Sequence, residues 1–305
     1  MAKKRKIMII VLSCILALAT LAFVALALCE FDFSRIGGGK VKEKTINVIG
    51  TYKNIDVKDE CADIKVVRST YSEYRVKGYE KLGLRTEVVG NKETSTLEII
   101  VFDTRKWFEK IFANNNDRVI TVYLPANEYD LMKINTVSGD VSIDGNLNVD
   151  TIKVSTVSGS VSTNGGAPSL LVSTTSGSVT LQGEGYNSID VTTVSGGVKA
   201  TNVKAESASV ETVSGGVVFS AVTAKERILV KTTSGNVDFD YAESGSMTVE
   251  TVSGRVSAKV AGVSTFDVTT ISGIVKVPSN TVGGGIFKIK TTSGNVNVSY
   301  FGTKD

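Results

Sequence analysis

The amino-acid sequence predicts an all-β fold: a right-handed parallel β-helix, or solenoid, of about 19-residue coils, preceded by one N-terminal transmembrane helix. Three observations predict it. A Thr-x-Ser-Gly-x-Val unit recurs nine times, apolar residues alternate with polar ones on both sides of each Ser-Gly pair, and residues 7–28 form an uncharged apolar run.

The N-terminal run is long enough to cross a membrane. Its 22 residues carry no charge, and a helix of that length spans about 33 Å against a hydrocarbon core of about 30 Å. The preceding "KKRK" makes residues 1–6 a predicted cytoplasmic basic tail, with the C-terminal domain outside the cytoplasm. Two alternatives stay open: a signal peptide cleaved after "ALA" at 25–27, and a lipoprotein processed at Cys29. All three interpretations export residues 30–305.

The composition excludes several classes of function. The chain has no histidine, which removes the commonest neutral-pH acid/base and a common metal ligand. Four of its 34 basic residues precede residue 7, so the remaining 30 nearly balance the 31 acidic ones. Without a basic stripe, no nucleic-acid partner is predicted. No cofactor or metal site is predicted either, and Cys61, the cysteine within the body of the chain, is interpreted as a small buried residue.

The repeat has a nearly fixed period. Successive Ser-Gly pairs are 20, 18, 19, 19, 20, 19, 19 and 21 residues apart, close to the periods of solenoids. The predicted structural corners are Ser138, Gly139, Ser158, Gly159, Ser176, Gly177, Ser195, Gly196, Ser214, Gly215, Ser234, Gly235, Ser253, Gly254, Ser272, Gly273, Ser293 and Gly294. Because nine serines share one position and no histidine can activate them, they are interpreted as structural and not as nucleophiles.

Each unit predicts two half-buried strands joined at a bend. The alternation of apolar and polar residues places two residues of each unit on the inner face: the Thr that recurs in every unit and the Val that follows its Gly. Because an odd number of positions separates these two residues, a straight strand would place them on opposite faces, so the chain must bend between them. We attribute that corner to glycine in a left-handed conformation. Stacked about 4.8 Å apart, the units would form ladders of identical residues. An antiparallel sandwich is the main alternative, and the right hand follows from the general preference of parallel crossovers.

The part of the chain after residue 28 is divided according to how regular the repeat is. Residues 29–39 are a predicted linker, residues 40–130 irregular N-terminal coils that cap the solenoid, and residues 131–305 the regular repeats. Within the irregular part, "IDVKDECADIKV" at 55–66 fits the template, with Cys61 in the Ser position. Cys61 and Ser138 are 77 residues apart, which suggests four periods. The segment 103–118 interrupts the pattern and is interpreted as a short helix or an excursion.

The segment "VYLPANEYDLMKINTVSGDVSI" at 122–143, together with the Thr-x-Ser-Gly-x-Val units, resembles a bacterial family of adhesin-like β-strand-repeat proteins of unknown function. The resemblance covers most of residues 40–305. It implies an extracytoplasmic parallel β-helix-like domain, often tethered by one membrane helix, and no catalytic residues. Members also occur in cell-envelope stress settings, so an accessory or regulatory role in that response is the alternative function.

The predicted function is a non-catalytic, membrane-anchored binding, adhesin-like or structural module of the bacterial cell envelope, with a cell-surface protein or glycan as ligand. A carboxylate-based polysaccharide-active enzyme is a remote alternative, because such chemistry needs no histidine. Its candidate acids are scattered over the repeats: Asp140, Asp144, Asp238, Asp240, Glu211 and Glu250. Ice binding by a threonine ladder is disfavoured, since the repeated Thr should face inward and the residue before it forms a mixed outward column: Asn135, Ser155, Ser173, Thr192, Glu211, Lys231, Glu250, Thr269 and Lys290.

Overall fold

The computed structural model describes residues 42–81, 84–104, 118–145, 147–282 and 284–301. They belong to one compact unit, Val41–Thr104 and Asn115–Asp305. The predicted transmembrane helix at 7–28 lies outside the described residues, as does most of the segment 103–118. No helix in the described ranges is long and apolar enough to cross a bilayer.

The regular structure of the described residues is all β, as predicted. The strands are β1 (Lys42–Val48), β2 (Asn54–Lys58), β3 (Asp63–Arg68), β4 (Tyr74–Lys81), β5 (Leu84–Asn91), β6 (Thr96–Asp103), β7 (Val119–Leu124), β8 (Glu128–Asn135), β9 (Val141–Asp144), β10 (Asn148–Ser155), β11 (Val161–Asn164), β12 (Ser169–Thr174), β13 (Val179–Thr193), β14 (Val198–Thr212), β15 (Val217–Thr232), β16 (Val237–Thr251), β17 (Val256–Ala261), β18 (Val263–Ser272), β19 (Val275–Lys276), β20 (Gly285–Ser293) and β21 (Val296–Tyr300).

Two parallel ladders build the structure, which confirms the predicted β-solenoid of stacked coils. Ladder A contains the strands before each corner, in the spatial order β6, β2, β8, β10, β12, β13, β14, β15, β16, β20, β18. Ladder B contains the strands after each corner, in the order β7, β3, β9, β11, β13, β14, β15, β16, β17, β21, β19. Strands β13 to β16 are long because each begins in ladder B and ends in ladder A of the next coil.

The core consists of columns of equivalent residues. The Val two positions after each corner Gly is at most 1% exposed in eight coils: Val141, Val161, Val179, Val198, Val217, Val237, Val256 and Val296. Burying one such side chain stabilises the fold by about 1.5–3 kcal/mol. The corner Thr is also buried in eight coils, which confirms its predicted inward direction: Thr136, Thr156, Thr174, Thr193, Thr212, Thr232, Thr251 and Thr291.

The stacking order departs from the chain order at both ends. Strand β2 pairs with β6 on one side and β8 on the other, and Ile55 lies opposite Met132. The coil that contains Cys61 is therefore the immediate neighbour of the coil that contains Ser138, and not four coils away. Similarly, β20 lies between β16 and β18. The spacing in sequence was misleading because four strands intervene in sequence without lying between the two coils: β6 and β7 form an outer coil, and β4 and β5 pair with it in antiparallel fashion.

Candidate binding groove along the repeated corner

The repeated Thr closes the corner by a hydrogen bond to the backbone. Its Oγ1 accepts the N–H of the Gly three residues later, for example from Gly196 to Thr193 at 2.9 Å and from Gly235 to Thr232 at 2.9 Å. The buried hydroxyl thus accepts a hydrogen bond from a backbone N–H that, because of the bend, has no partner in the strand ladder. Thr291 differs, because its buried Oγ1 has no hydrogen-bond partner.

Close approach of the neighbouring coil explains the corner glycine. A Cβ added at Gly215 would lie 1.9 Å from the carbonyl oxygen of Gly196, and at Gly235 1.9 Å from that of Gly215. Among the nine corner glycines, Gly273 has a positive φ, of 144°, and the other eight do not. The attribution to a left-handed conformation was therefore wrong for those eight. Glycine is required there because backbone atoms of successive coils meet where a side chain would stand.

The corner serines are exposed and bond to backbone carbonyls. Ser195 Oγ donates to the Thr175 carbonyl at 3.3 Å, and Ser214 Oγ donates to the Val194 carbonyl at 3.4 Å. A backbone carbonyl does not remove a proton from a hydroxyl, so these contacts do not activate the serines as nucleophiles.

The first corner has the same geometry with different residues. Asp59 stands in the Thr position, and its Oδ2 accepts the N–H of Cys61 at 2.8 Å and the N–H of Ala62. Burial raises the pKa of the Asp59 carboxyl, while hydrogen bonds from backbone N–H groups and the charge of Arg118 act in the opposite direction. Cys61 is a free thiol and is half-buried, where the sequence suggested a buried residue.

A groove of about 700 Å³ runs along the outside of the corner over six coils. We call it the corner groove. One wall, the corner column, is the residue between Thr and Ser: Val194, Val213, Thr233, Val252, Thr292 and Ile271. The other wall, the charged column, is the residue before Thr: Thr192, Glu211, Lys231, Glu250, Lys290 and Thr269. Its floor is formed by the corner threonines of five of these coils: Thr193, Thr212, Thr232, Thr251 and Thr291.

The charged column alternates in sign along the stack. Lys231 Nζ lies 2.9 Å from Glu211 Oε1, and Lys290 Nζ lies 3.7 Å from Glu250 Oε1. The hydrogen bond to Glu211 raises the pKa of Lys231, and the charges of Glu211 and then Glu250 act in the same direction. Because these four charges balance, this wall presents paired charges and no net charge.

The corner column is an exposed apolar strip. Val194, Val213 and Val252 are 47–50% exposed, although each sits in a regular and well-packed coil. Sequence reasoning located the outward charged column but missed this wall. The signal that could have found it is the β-branched residue between Thr and Ser in every unit. The exposure of this residue depends on the exact position of the bend, which the alternation of apolar and polar residues does not determine.

The six acidic residues weighed as a hydrolytic site do not converge. Asp140 Oδ1 accepts the Ser160 N–H at 2.7 Å and Asp240 pairs with Lys259 at 3.4 Å. Asp144 Oδ1 accepts the Gly145 N–H at 3.0 Å. Asp238 faces Val218 and Ser257 across ladder B, and Lys231 separates Glu211 from Glu250. Within the described ranges, no group of three or more Cys, Asp or Glu side chains could hold a metal ion.

Three solved structures are similar to this chain. A candidate adhesin of Bacteroides fragilis is 16% identical with a TM-score of 0.41, over 85% of this chain and 97% of that one. A candidate lipid-binding protein of Parabacteroides distasonis is 22% identical with a TM-score of 0.47, over 86% and 98%. A candidate cell adhesion protein of Clostridium sporogenes is 12% identical with a TM-score of 0.29, over 86% and 100%. No curated protein matches the chain.

The family is shown by the sequence itself. Residues 52–299 match the family described as Toastrack DUF4097, a range that includes all nine Thr-x-Ser-Gly corners and the coil of Cys61. The resemblance stated from residues 122–143 and the repeats is thereby confirmed. The chain therefore belongs to the Toastrack DUF4097 family.

Proposed function

We propose that this protein is a membrane-anchored, extracytoplasmic binding module without catalytic activity, and that it holds its ligand in the corner groove. The observation that carries the proposal is the corner column, a continuous strip of exposed valine, threonine and isoleucine side chains on one wall of the groove. Covering apolar surface contributes about 25 cal/mol per Å² to binding, so such a strip favours a ligand that removes it from water.

The shape and chemistry of the groove favour a linear ligand. Six coils about 4.8 Å apart give a length of roughly 24 Å. The lining contains no aromatic side chain, and it combines aliphatic groups with balanced Glu and Lys charges. These features suit a segment of a cell-surface protein that carries apolar side chains on one side and charges of both signs on the other. We therefore propose a peptide segment as the ligand.

Peptide selection on the full chain in detergent tests the groove. A displayed library of random peptides is selected against the wild-type protein, and the affinities of enriched peptides are then measured. The Val213→Asp/Val252→Asp variant should bind them at least about tenfold more weakly, because an unpaired carboxylate desolvated against the ligand costs more than 1.4 kcal/mol. Val218→Asp is the matched control, since Val218 is exposed on ladder B and does not line the groove.

Equal loss in the control and in the groove variant would contradict the groove as binding site. Failure to enrich any peptide on the wild-type chain would contradict a peptide ligand.

The cellular location belongs to the same proposal. It is supported by the uncharged run at 7–28 and the "KKRK" that precedes it. Protease treatment of intact cells should remove residues 30–305 and leave a fragment that contains the apolar run. Full protection of the domain in intact cells, with cleavage only after lysis, would show that it is not exported to the surface.

A further inference from the structure

The outermost coil at one end of the solenoid is unusually apolar on its outside. We call residues 263–282, which include β18 and β19, the end coil. Its Ile271 is 83% exposed, Ile274 64% and Val275 39%, and Val282 is fully exposed. A terminal repeat of a monomeric solenoid normally presents a polar outer face, because nothing stacks on it.

Comparison with the inner coils shows that this exposure is specific to the end. Val275 occupies the column in which eight other valines are at most 1% exposed. Ile274 occupies a column that elsewhere holds small or polar residues, namely Asp140, Ser160, Ser178, Gly197, Gly216, Asn236, Arg255 and Asn295. The end coil thus exposes Val275, whose equivalents in the other coils are buried, and it carries Ile274 where the other coils have small or polar residues.

Part of the outer edge is covered by the chain itself. Asn280 Oδ1 accepts the N–H of Phe266 at 2.8 Å, so the segment after β19 covers the edge of β18 at that residue. Within the described residues, β18 pairs only with β20, and β19 pairs only with β21. The second half of β18 and the whole of β19 therefore present a strand edge beside the exposed isoleucines.

The opposite end of the solenoid is built differently, because antiparallel strands lie outside its last coil. Strand β6 is covered by β5, and β7 is covered by β4, both in antiparallel pairing. Strand β1 then covers β4. These outer strands run antiparallel to the coils, so that end does not present a coil on which the end coil of a second chain would continue the parallel stack, and head-to-tail stacking into a filament is disfavoured.

We propose that a second copy of this chain docks on the end coil, related by a twofold axis, with the two β18 edges in antiparallel pairing. A twofold axis makes one strand edge and one apolar patch complementary to themselves. The end coil has two charged residues of opposite sign, Asp267 and Lys276, and Asp267 already pairs with Lys288 at 3.4 Å. Two copies can therefore meet without net charge repulsion.

The size of the end coil also fits a dimer. Its 20 residues are comparable to the roughly 20–30 residues that each partner contributes to a stable interface. A strand from a different protein would find the same open edge, but the absence of net charge gives it no electrostatic advantage over the identical copy.

Sedimentation equilibrium of the full chain in density-matched detergent tests the dimer. The wild type should be dimeric, and Ile271→Lys/Ile274→Lys should weaken association by at least about tenfold, since two buried lysines would face their own copies. Both isoleucines are exposed in the single chain, so the variant should keep its melting temperature within about 2 °C. Val194→Lys/Val213→Lys is the matched control in the corner column and should remain dimeric.

Two outcomes would overturn the inference. One is a monomeric wild type, and the other is a dimer that persists in Ile271→Lys/Ile274→Lys, which would place the contact elsewhere, for example at residues 7–28. These outcomes are distinct from failure of the groove, because the groove variant Val213→Asp/Val252→Asp should lose peptide binding while it remains dimeric.

A crosslink checks the pairing of the strands. In a chain whose native cysteines are replaced by serine, Thr269→Cys should give a disulfide-linked dimer on mild oxidation, because an antiparallel β18 pair brings the two copies of this residue together. Thr192→Cys, in the same column near the middle of the stack, should stay monomeric on a denaturing gel. Equal crosslinking at both positions, or none at Thr269→Cys, would contradict the proposed pairing.

Discussion

Lys290 pairs with Glu250 at 3.7 Å, although the whole unit around Ser272 lies between them in sequence. The pair forms because β20 stacks directly on β16 and displaces β18 to the outside. In a strictly sequential stack Thr269 would stand between the two charges. The contact extends the alternation begun by Glu211 and Lys231, so the charged column favours the observed order of coils.

Reversal of the charge at Lys290 should therefore weaken the fold. We expect Lys290→Glu to lower the free energy of unfolding by up to about 1 kcal/mol, and less at high salt, because exposed pairs are screened. Urea denaturation at low and high ionic strength measures the effect. Lys276→Glu serves as control, since its register partner is Asn297. A larger loss in the control would refute the role assigned to Glu250.

Two adjacent glycines should respond very differently to alanine. A Cβ at Gly215 would stand 1.9 Å from the Gly196 carbonyl oxygen, whereas at Gly216 the nearest atom, the Asn236 carbonyl oxygen, is 3.7 Å away. We expect Gly215→Ala to cost roughly 3 kcal/mol or to prevent folding, since two coils must separate. Gly216→Ala should change stability by about 0.5 kcal/mol or less. Thermal unfolding of both variants decides, and equal stabilities would disprove the close-approach explanation.

The hydroxyl of the corner threonine should stabilise the fold in the coils where it accepts a hydrogen bond. Thr232→Val removes the acceptor of the Gly235 N–H and should destabilise the protein by about 1–3 kcal/mol, because that donor is left buried and unpaired. Thr291→Val removes a hydroxyl without a partner and should be neutral or stabilising. The difference is measurable by urea denaturation, and a larger cost at Thr291 would be inconsistent with the geometry.

Asp59 should contribute a free energy of unfolding that rises as the pH falls, the opposite of what a carboxylate with a lowered pKa contributes. Burial raises the pKa of its carboxyl, so the folded chain binds this proton more readily than the unfolded chain does. Its ionised form opposes folding at neutral pH, and this cost disappears as the pH falls through the raised pKa. The unfolding free energy of wild type minus Asp59→Asn should thus increase on acidification. Denaturant titrations across the acidic range measure it, and a decrease would contradict the prediction.

The repeat predicted most of the fold because burial and parity determine it. Period-two alternation gave the two ladders, and the inward Thr and Val columns follow from it. The order of coils at the ends could not be predicted in this way. Successive units carry almost the same inward residues, so the repeat pattern fits any order of coils equally well. Only particular side chains, such as Lys290 and Asn280, distinguish the observed order from a sequential one.

The groove was harder to predict than the fold. The charged column appeared as an outward column, but its partner wall depends on the direction in which Val194 and its equivalents leave the bend. The reason for glycine was also misjudged, because a clash with the next coil does not appear in the local sequence. The repeat shows that glycine recurs in every unit at the position of Gly215 and not at that of Gly216, but the reason, the distance to the neighbouring coil, is visible only in three dimensions.

The position of the last described coil has a mechanical consequence. Strand β21 lies between β17 and β19, and β20 lies between β16 and β18. A force applied to the chain beyond Tyr300 therefore acts on strands that are held on both sides. Such a strand can leave the sheet only if its hydrogen bonds to both neighbours break together, whereas an edge strand could be peeled away one hydrogen bond at a time. The C-terminal coil should therefore resist a pulling force better than the coil of β18 and β19, each of which is paired on one side only within the described residues.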